Sequence, residues 1–199
     1  MNVKFWDKVA PSFDSGGPVN SLLIKNLQNN LKQADSLLEI GAGTGKIAIY
    51  LAEYCGAIEA TDFSPEMIHR AQERKPVENV TFSVQDGTKL TYHAEEFDAV
   101  LTVNTLHIVP DIDKLLTEVN RVLKTEGYFF AVVPMFTQNR LKRFFVACFM
   151  KVMKFHLWSV TEYQTIFARH HLIVREEIIL TENQDSVLLI CKKEDVTKK

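Results

Sequence analysis

Residues 37–48, LLEIGAGTGKIA, set three alternating glycines between an apolar run and a helical pattern. The stretch SLLEI before the glycines is too short for a helix and too apolar for a surface loop, which leaves a buried strand. Gly41, Gly43 and Gly45 let the chain turn tightly and bring bare backbone close to a ligand. Beyond them Ile47, Leu51, Ala52 and Cys55 fall on one helix face. A buried strand that runs through a glycine turn into a helix is a building unit of a parallel sheet covered on both sides.

The rest of the chain repeats this alternation. Residues 19–32 carry apolar side chains at 19, 22, 23, 24, 27 and 31, mostly at helical spacing. AIEATD reads as a strand ending in acid. SPEMIHRAQERK reads as a helix capped by Ser64, with Pro65 in its first turn and Met67 and Ile68 facing inward. VTFSVQDG and FDAVLTVNTL supply two more strands, DIDKLLTEVNRVLKTEG an amphipathic helix closed by Gly127, and YFFAVVP a fifth strand. VTEYQTIFARHHL is then a helix, and IVREEIIL and DSVLLICKK are strands joined by the turn TENQ. The expected fold is a doubly wound, Rossmann-like α/β sheet, mostly parallel with a C-terminal antiparallel hairpin, and with helices on both faces. One domain over residues 1–199 accommodates all of it.

Composition removes several functions. A net charge of -2, from 23 basic and 25 acidic residues, gives no global field for nucleic acid, and none is expected as a partner. Cys55, Cys148 and Cys191 have no paired spacing, so neither a zinc pattern nor a disulfide framework is present and no metal is expected. Lys4, Asp7, Lys8 and Pro11 interrupt the opening residues where a signal peptide needs an apolar core, and no run reaches the length of a membrane span. A cytoplasmic location is expected.

Three ligand classes compete for the glycine turn. A P-loop needs GxxxxGK followed by Ser or Thr, whereas Ile47 follows Gly45 and Lys46 here. A nicotinamide-binding turn needs GxGxxG, but Lys46 stands at the third glycine and Glu39 would repel a pyrophosphate. An unphosphorylated ligand bearing an ammonium and a ribose suits the same acids. Glu39 can help place the ammonium, indirectly or through a bound water, and Asp62 can accept hydrogen bonds from both ribose hydroxyls.

With those residues in view, the chain resembles the class I S-adenosylmethionine-dependent methyltransferases, in the small-molecule group called methyltransferase type 11. LLEIGAGTGKIA is similar to the family's first motif, and EATDFSPEMIHRAQE to its ribose-binding strand end and following helix. VTFSVQDG resembles the adenine-binding strand end, and residues 97–130 the fourth strand through the fifth. The departure of LKTEG from the commoner LKPGG touches only a connection. The resemblance implies a cofactor site of Glu39, Gly41, Ala42, Gly43, Asp62, Phe63, Met67, Asp86, Gly87 and Asn104. In it, Gly41, Gly43 and Asn104 lie near the methionine end, Asp62 holds the ribose, Phe63 packs beside the adenine, Asp86 accepts from the adenine amino group, and Gly87 lies near a ring nitrogen. The implied product is S-adenosylhomocysteine.

A small, hydrophobic or anionic methyl acceptor is the expected partner. His107, after the fourth strand, is the candidate catalytic residue: it could take a proton from an oxygen or nitrogen acceptor, or orient the acceptor as a neutral imidazole. Residues 1–20 are expected to form an arm over the cofactor, with Phe13 and Asp14 as pocket candidates and Trp6 as either an aromatic wall or an anchor. Residues 136–170 are expected to cover the substrate. Between 136 and 158 this segment has five basic residues, no acid and several aromatics, including Phe155 and Trp158, which suits a lid, core packing or peripheral contact with an anionic membrane. His156 and Tyr163 could meet an acceptor in the lid arrangement. Oligomeric state stays open. The alternative to an enzyme is a noncatalytic S-adenosylmethionine-binding or membrane-associated regulator that retains the fold.

Overall fold

The computed structural model describes residues 3–13, 19–31, 36–135, 155–156, 158–180 and 186–195. Asp14, the TENQ turn and nearly all of the basic aromatic segment lie outside the described residues. Five parallel strands form the frame: β1 (Ser36–Ile40), β2 (Ala57–Asp62), β3 (Val80–Val84), β4 (Phe97–Val103) and β5 (Leu123–Pro134). The hairpin β6 (Leu172–Ile179) and β7 (Ser186–Lys193) completes a seven-stranded sheet of order β3-β2-β1-β4-β5-β7-β6. Strand β7 runs antiparallel to both neighbours. This is the expected Rossmann-like arrangement, with β1 at the point where strand order reverses.

Alternation along the strands divides the core. Leu37, Leu101, Phe130 and Leu188 point to one face, beneath α2 (Ser21–Leu31) and α3 (Lys46–Leu51). Leu38, Val100, Phe129 and Leu189 point to the other, beneath α5 (Ile112–Val122) and α6 (Val160–Arg169). The period-2 geometry of a strand thus serves two helical layers with one run of apolar residues. Capping residues set where helices begin. Ser64 accepts from Met67 N at 3.2 Å to start α4 (Pro65–Gln72), Asp111 accepts from Lys114 N at 3.1 Å to start α5, and Ser159 with Glu162 forms a capping box at α6.

Two local expectations change. The amphipathic helix does not run to Gly127: it ends at Val122, and Leu123 is already extended, buried, and paired with Phe97 across an irregularity in the ladder. Glu126, not Gly127, takes the left-handed conformation at φ 61°. Gly127 serves a different need, since a Cβ there would come within 2.8 Å of the Lys124 carbonyl and 3.0 Å of the Asp98 carbonyl. The helix from Lys46 likewise stops at Leu51 and tightens into a 3-10 turn over Ala52–Tyr54.

The opening arm is itself helical, α1 (Val3–Phe13), and packs against α4. Pro11 lies within it and can donate no backbone bond there, and Ala10 is its buried contact. Residues 160–169 of the expected cover are α6, whose Tyr163, Ile166 and Phe167 belong to the core with Phe129. Among the described residues no helix is long and apolar enough to cross a membrane.

Candidate cofactor and acceptor site

The strands β1, β2, β3 and β4 all end at one edge of the sheet, and a cleft of about 120 Å³ opens there. At β1 the chain turns through Gly41, Gly43 and Gly45 at φ 79°, 56° and 74°. Gly41 N and Ala42 N donate to Thr61 O at 2.8 and 2.9 Å, which fastens the turn to the end of β2. Gly41 has no room for a side chain, because an added Cβ would collide with Thr105.

One residue later β2 ends in Asp62. Its Oδ2 accepts from Gly43 N at 2.9 Å and its Oδ1 from Ser64 N at 2.9 Å. Each carboxylate oxygen has a further lone pair, so the same bonds that aim the group leave it able to accept from a ligand. Burial raises the Asp62 pKa above the ordinary carboxylate value, the amides of Ser64, Gly43 and Phe63 oppose that, and nearby Asp7 adds to it. Ser64, while capping α4, donates its hydroxyl to Asp7 Oδ1 at 2.5 Å, and so ties α1 to the cleft.

Glu39 lies on β1 just behind the turn and is almost wholly buried. Burial raises its pKa to about 8, helped by the charge of Asp62 and opposed by the Ala48 amide. Its Oε2 has no hydrogen-bond partner. A buried acid with an unmet oxygen beside a glycine turn is suited to a cationic ligand group, which would favour the ionised form.

The cleft wall contains Gly41, Gly43, Asp62, Phe63, Met67, Asp86, Gly87 and Asn104, all named from the sequence. Glu39 and Ala42 instead line an adjoining cavity, which shares Gly41, Gly43, Phe13 and Asn104 with the cleft. Asn104 holds a left-handed φ of 52° at the end of β4, and its N donates to Val132 O at 3.0 Å. Asp86 Oδ1 accepts from the amide and hydroxyl of Thr88, closing the loop after β3. Trp6 and Phe13 reach the cleft from α1.

His107 is not on the cleft wall, although its neighbours Thr105 and Ile108 are. Its ring packs edge-on to Phe155 at 6.0 Å, its Nδ1 is buried without a partner, and burial lowers its pKa to about 4. His156 stacks on Trp158 at 4.3 Å, and Trp158 meets Tyr163 edge-on at 5.4 Å. Tyr163 is buried in the core, with its hydroxyl unpartnered. Gln85, Thr88, Val103, Ile108, Val109 and Leu115 also line the cleft and were not singled out from the sequence. Gln85 and Thr88 flank a recognisable Asp-Gly pair, which could have flagged them, whereas Leu115 reads only as one more apolar position on α5.

Fold and site together define an open α/β protein whose ligand crevice lies where strand order reverses and is walled by a glycine turn and strand-end acids. Residues 38–131 match the family described as a methyltransferase domain, and the chain is similar to that family over this stretch. It is 34% identical over 117 residues to a fatty-acid O-methyltransferase of Mycolicibacterium smegmatis, covering 56% of this chain and 43% of that one. It is 32% identical over 104 residues to a ubiquinone/menaquinone biosynthesis C-methyltransferase of Zymomonas mobilis, covering 51% and 43%. The chain thus spans under half the length of these two relatives. A solved geranyl diphosphate C-methyltransferase of Streptomyces coelicolor, in complex with Mg2+, geranyl diphosphate and S-adenosyl-L-homocysteine, superposes with a TM-score of 0.72 at 18% identity, covering 87% of this chain and 79% of that one. That likeness is one of fold.

Proposed function

We propose that the chain transfers a methyl group from S-adenosylmethionine to a small, uncharged acceptor. The observation that carries this reading is Asp62: a half-buried carboxylate at the end of β2, aimed by the amides of Gly43 and Ser64, beside a turn of three left-handed glycines. Asp62 would hold the ribose hydroxyls, Asp86 the adenine amino group, and Phe63 and Met67 the faces of the base. Gly87 gives the base room at the end of β3. Glu39, whose Oε2 has no protein partner, would receive the ammonium, with Gly41, Ala42, Gly43 and Asn104 shaping the space around the amino-acid end.

When bound, the cofactor supplies a methyl group already activated by a positive sulfur. The protein's part is then to align the acceptor and exclude water, with reacting atoms held about 3–3.5 Å apart. Val103, Ile108, Val109 and Leu115 give the cleft an apolar wall, and Trp6 and Phe13 of α1 line it too, which supports reading the opening residues as a cover. No Lys, Arg or His lines the cleft among the described residues, which supports an uncharged acceptor. His107, neutral at physiological pH, would serve through a hydrogen bond.

Calorimetric titration with S-adenosylmethionine and S-adenosylhomocysteine tests the reading. Wild type should bind both. Asp62→Ala, checked for folding, should weaken both by roughly thirtyfold, about 2 kcal/mol for lost bonds to a charged acceptor. A folded wild type that binds neither ligand would refute it.

A further inference from the structure

Three rings from distant parts of the chain meet beside the cleft. Trp6 of α1 is on the cleft wall and stacks on Phe155 at 6.3 Å with 16° between the planes. His107, in the 3-10 turn after β4, stands edge-on to the same phenyl ring at 6.0 Å and 87°. A backbone bond from His156 N to His107 O, 2.7 Å long, holds the Phe155 segment to that turn.

The contact satisfies shape and leaves chemistry unmet. Phe155 offers Trp6 a flat partner, but its side chain has no hydrogen-bonding group for His107, whose Nδ1 is buried and unpaired. An unpaired buried polar atom costs on the order of 1–3 kcal/mol, so a protein keeps one where something else completes it.

We propose that Phe155 occupies the seat of the methyl acceptor, and that the acceptor is a hydroxylated planar ring, a phenol or larger hydroxyarene. It replaces Phe155 between Trp6 and His107 and pairs its hydroxyl with Nδ1. This rests on the methyltransferase reading above and names the acceptor class for it. The ring takes over the stack on the indole, where an aromatic face outperforms a saturated one. The hydroxyl both donates and accepts, so it pairs with either tautomer of a neutral imidazole. The absence of cations among the described cleft-lining residues gives no advantage to a carboxylate or phosphate in its place. The seat holds one ring at a time, so Phe155 acts as an internal competitor and lowers apparent affinity by the fraction of time it is seated.

The test uses full-length protein loaded with S-adenosylhomocysteine and three probes followed by ligand-observed NMR: 2-naphthol, naphthalene and saturated decahydro-2-naphthol. Phe155→Ala should bind 2-naphthol roughly tenfold more tightly than wild type, as removing a competitor seated about nine-tenths of the time requires. Phe155→Tyr should do the reverse, because the added hydroxyl satisfies Nδ1 and strengthens the competitor; it also decides the matter if Phe155→Ala fails to fold. Adding His107→Leu to Phe155→Ala should erase the preference for 2-naphthol over naphthalene. An affinity unchanged within about twofold in the folded Phe155 variants, or equal binding of the saturated alcohol, would overturn the proposal. Calorimetry with S-adenosylhomocysteine on the same samples separates the two levels. Binding of that ligand with indifferent naphthol affinities rejects the acceptor class alone, and its failure to bind wild type rejects the methyltransferase reading itself.

Discussion

The cleft and the ring cluster beside it are built from different materials. Around Gly41, Asp62 and Glu39 the site consists of strand ends, backbone amides and short turns, with groups that determine it separated by a few residues from a glycine or a cap. Around Trp6, His107 and Phe155, beside the cleft, rings from three remote segments meet, with one backbone bond from His156 N to His107 O joining two of the segments. The first is inseparable from the sheet, so disturbing it disturbs folding. The second joins side chains of α1, the turn after β4 and residue 155 outside the strand ladders, so substitutions there should cost less stability.

The largest effect expected from this contrast belongs to Glu39. Its pKa is raised in the folded protein, from an ordinary 4.5 to about 8, so neutral Glu39 is the form folding prefers. Its contribution is complete below about pH 4.5 and is lost as pH rises through 8. The stability of ligand-free wild type relative to Glu39→Gln should therefore fall across that window, by a few kcal/mol at about 1.4 kcal/mol per pKa unit, while His107, whose pKa burial lowers to about 4, makes both proteins gain stability as pH rises to about 6.5. Thermal melts at pH 5, 7 and 9 read this directly, and parallel curves for the two proteins would remove Glu39 from the account.

Next in size is Gly41→Ala. The left-handed backbone and the collision with Thr105 should together cost about 3 kcal/mol, measured by urea unfolding, with S-adenosylhomocysteine binding falling alongside. Loss of binding at unchanged stability would break the claim that this region is one with the sheet.

Phe13→Ala should have the smallest effect. Phe13 is 47% exposed, packs edge-on to Trp6, and should change stability by less than about 0.5 kcal/mol. Ligand affinity should still drop by about threefold as a ring contact is lost. A melt shifted as far as that of Gly41→Ala would erase the distinction between the two regions.

The same division governed what could be read from residues alone. The glycine turn, the strand-end acids and the Ser64 cap are local patterns, and eight of the ten residues named for the cofactor lie on one cleft wall. Glu39 and Ala42 belong to the adjoining cavity, because strand alternation turns Glu39 toward the face of α2 and α3. The premature end of α5 was hidden by Leu123, an apolar residue in helical register that the Phe97 pairing claims for β5 instead. The helical form of the opening arm was obscured by Pro11, and its packing on α4 includes a bond between Asp7 and Ser64, 57 residues apart. The meeting of Trp6, His107 and Phe155 has no sequence signal, since no periodicity relates three residues so far apart.

The position of β7 has a consequence for how the molecule comes to be made. It is the seventh strand in chain order, yet it lies between β5 and β6, and pairs with β5 from Tyr128 to Pro134. As the chain leaves the ribosome, the parallel strands and the glycine turn emerge first, but β5 keeps a bare, apolar edge until residues 186–193 follow. An exposed strand edge of that kind invites pairing with the wrong chain. Synthesis that stalls between 135 and 185 should therefore yield nascent chains that hold the ligand-binding half yet depend on chaperones to remain unaggregated.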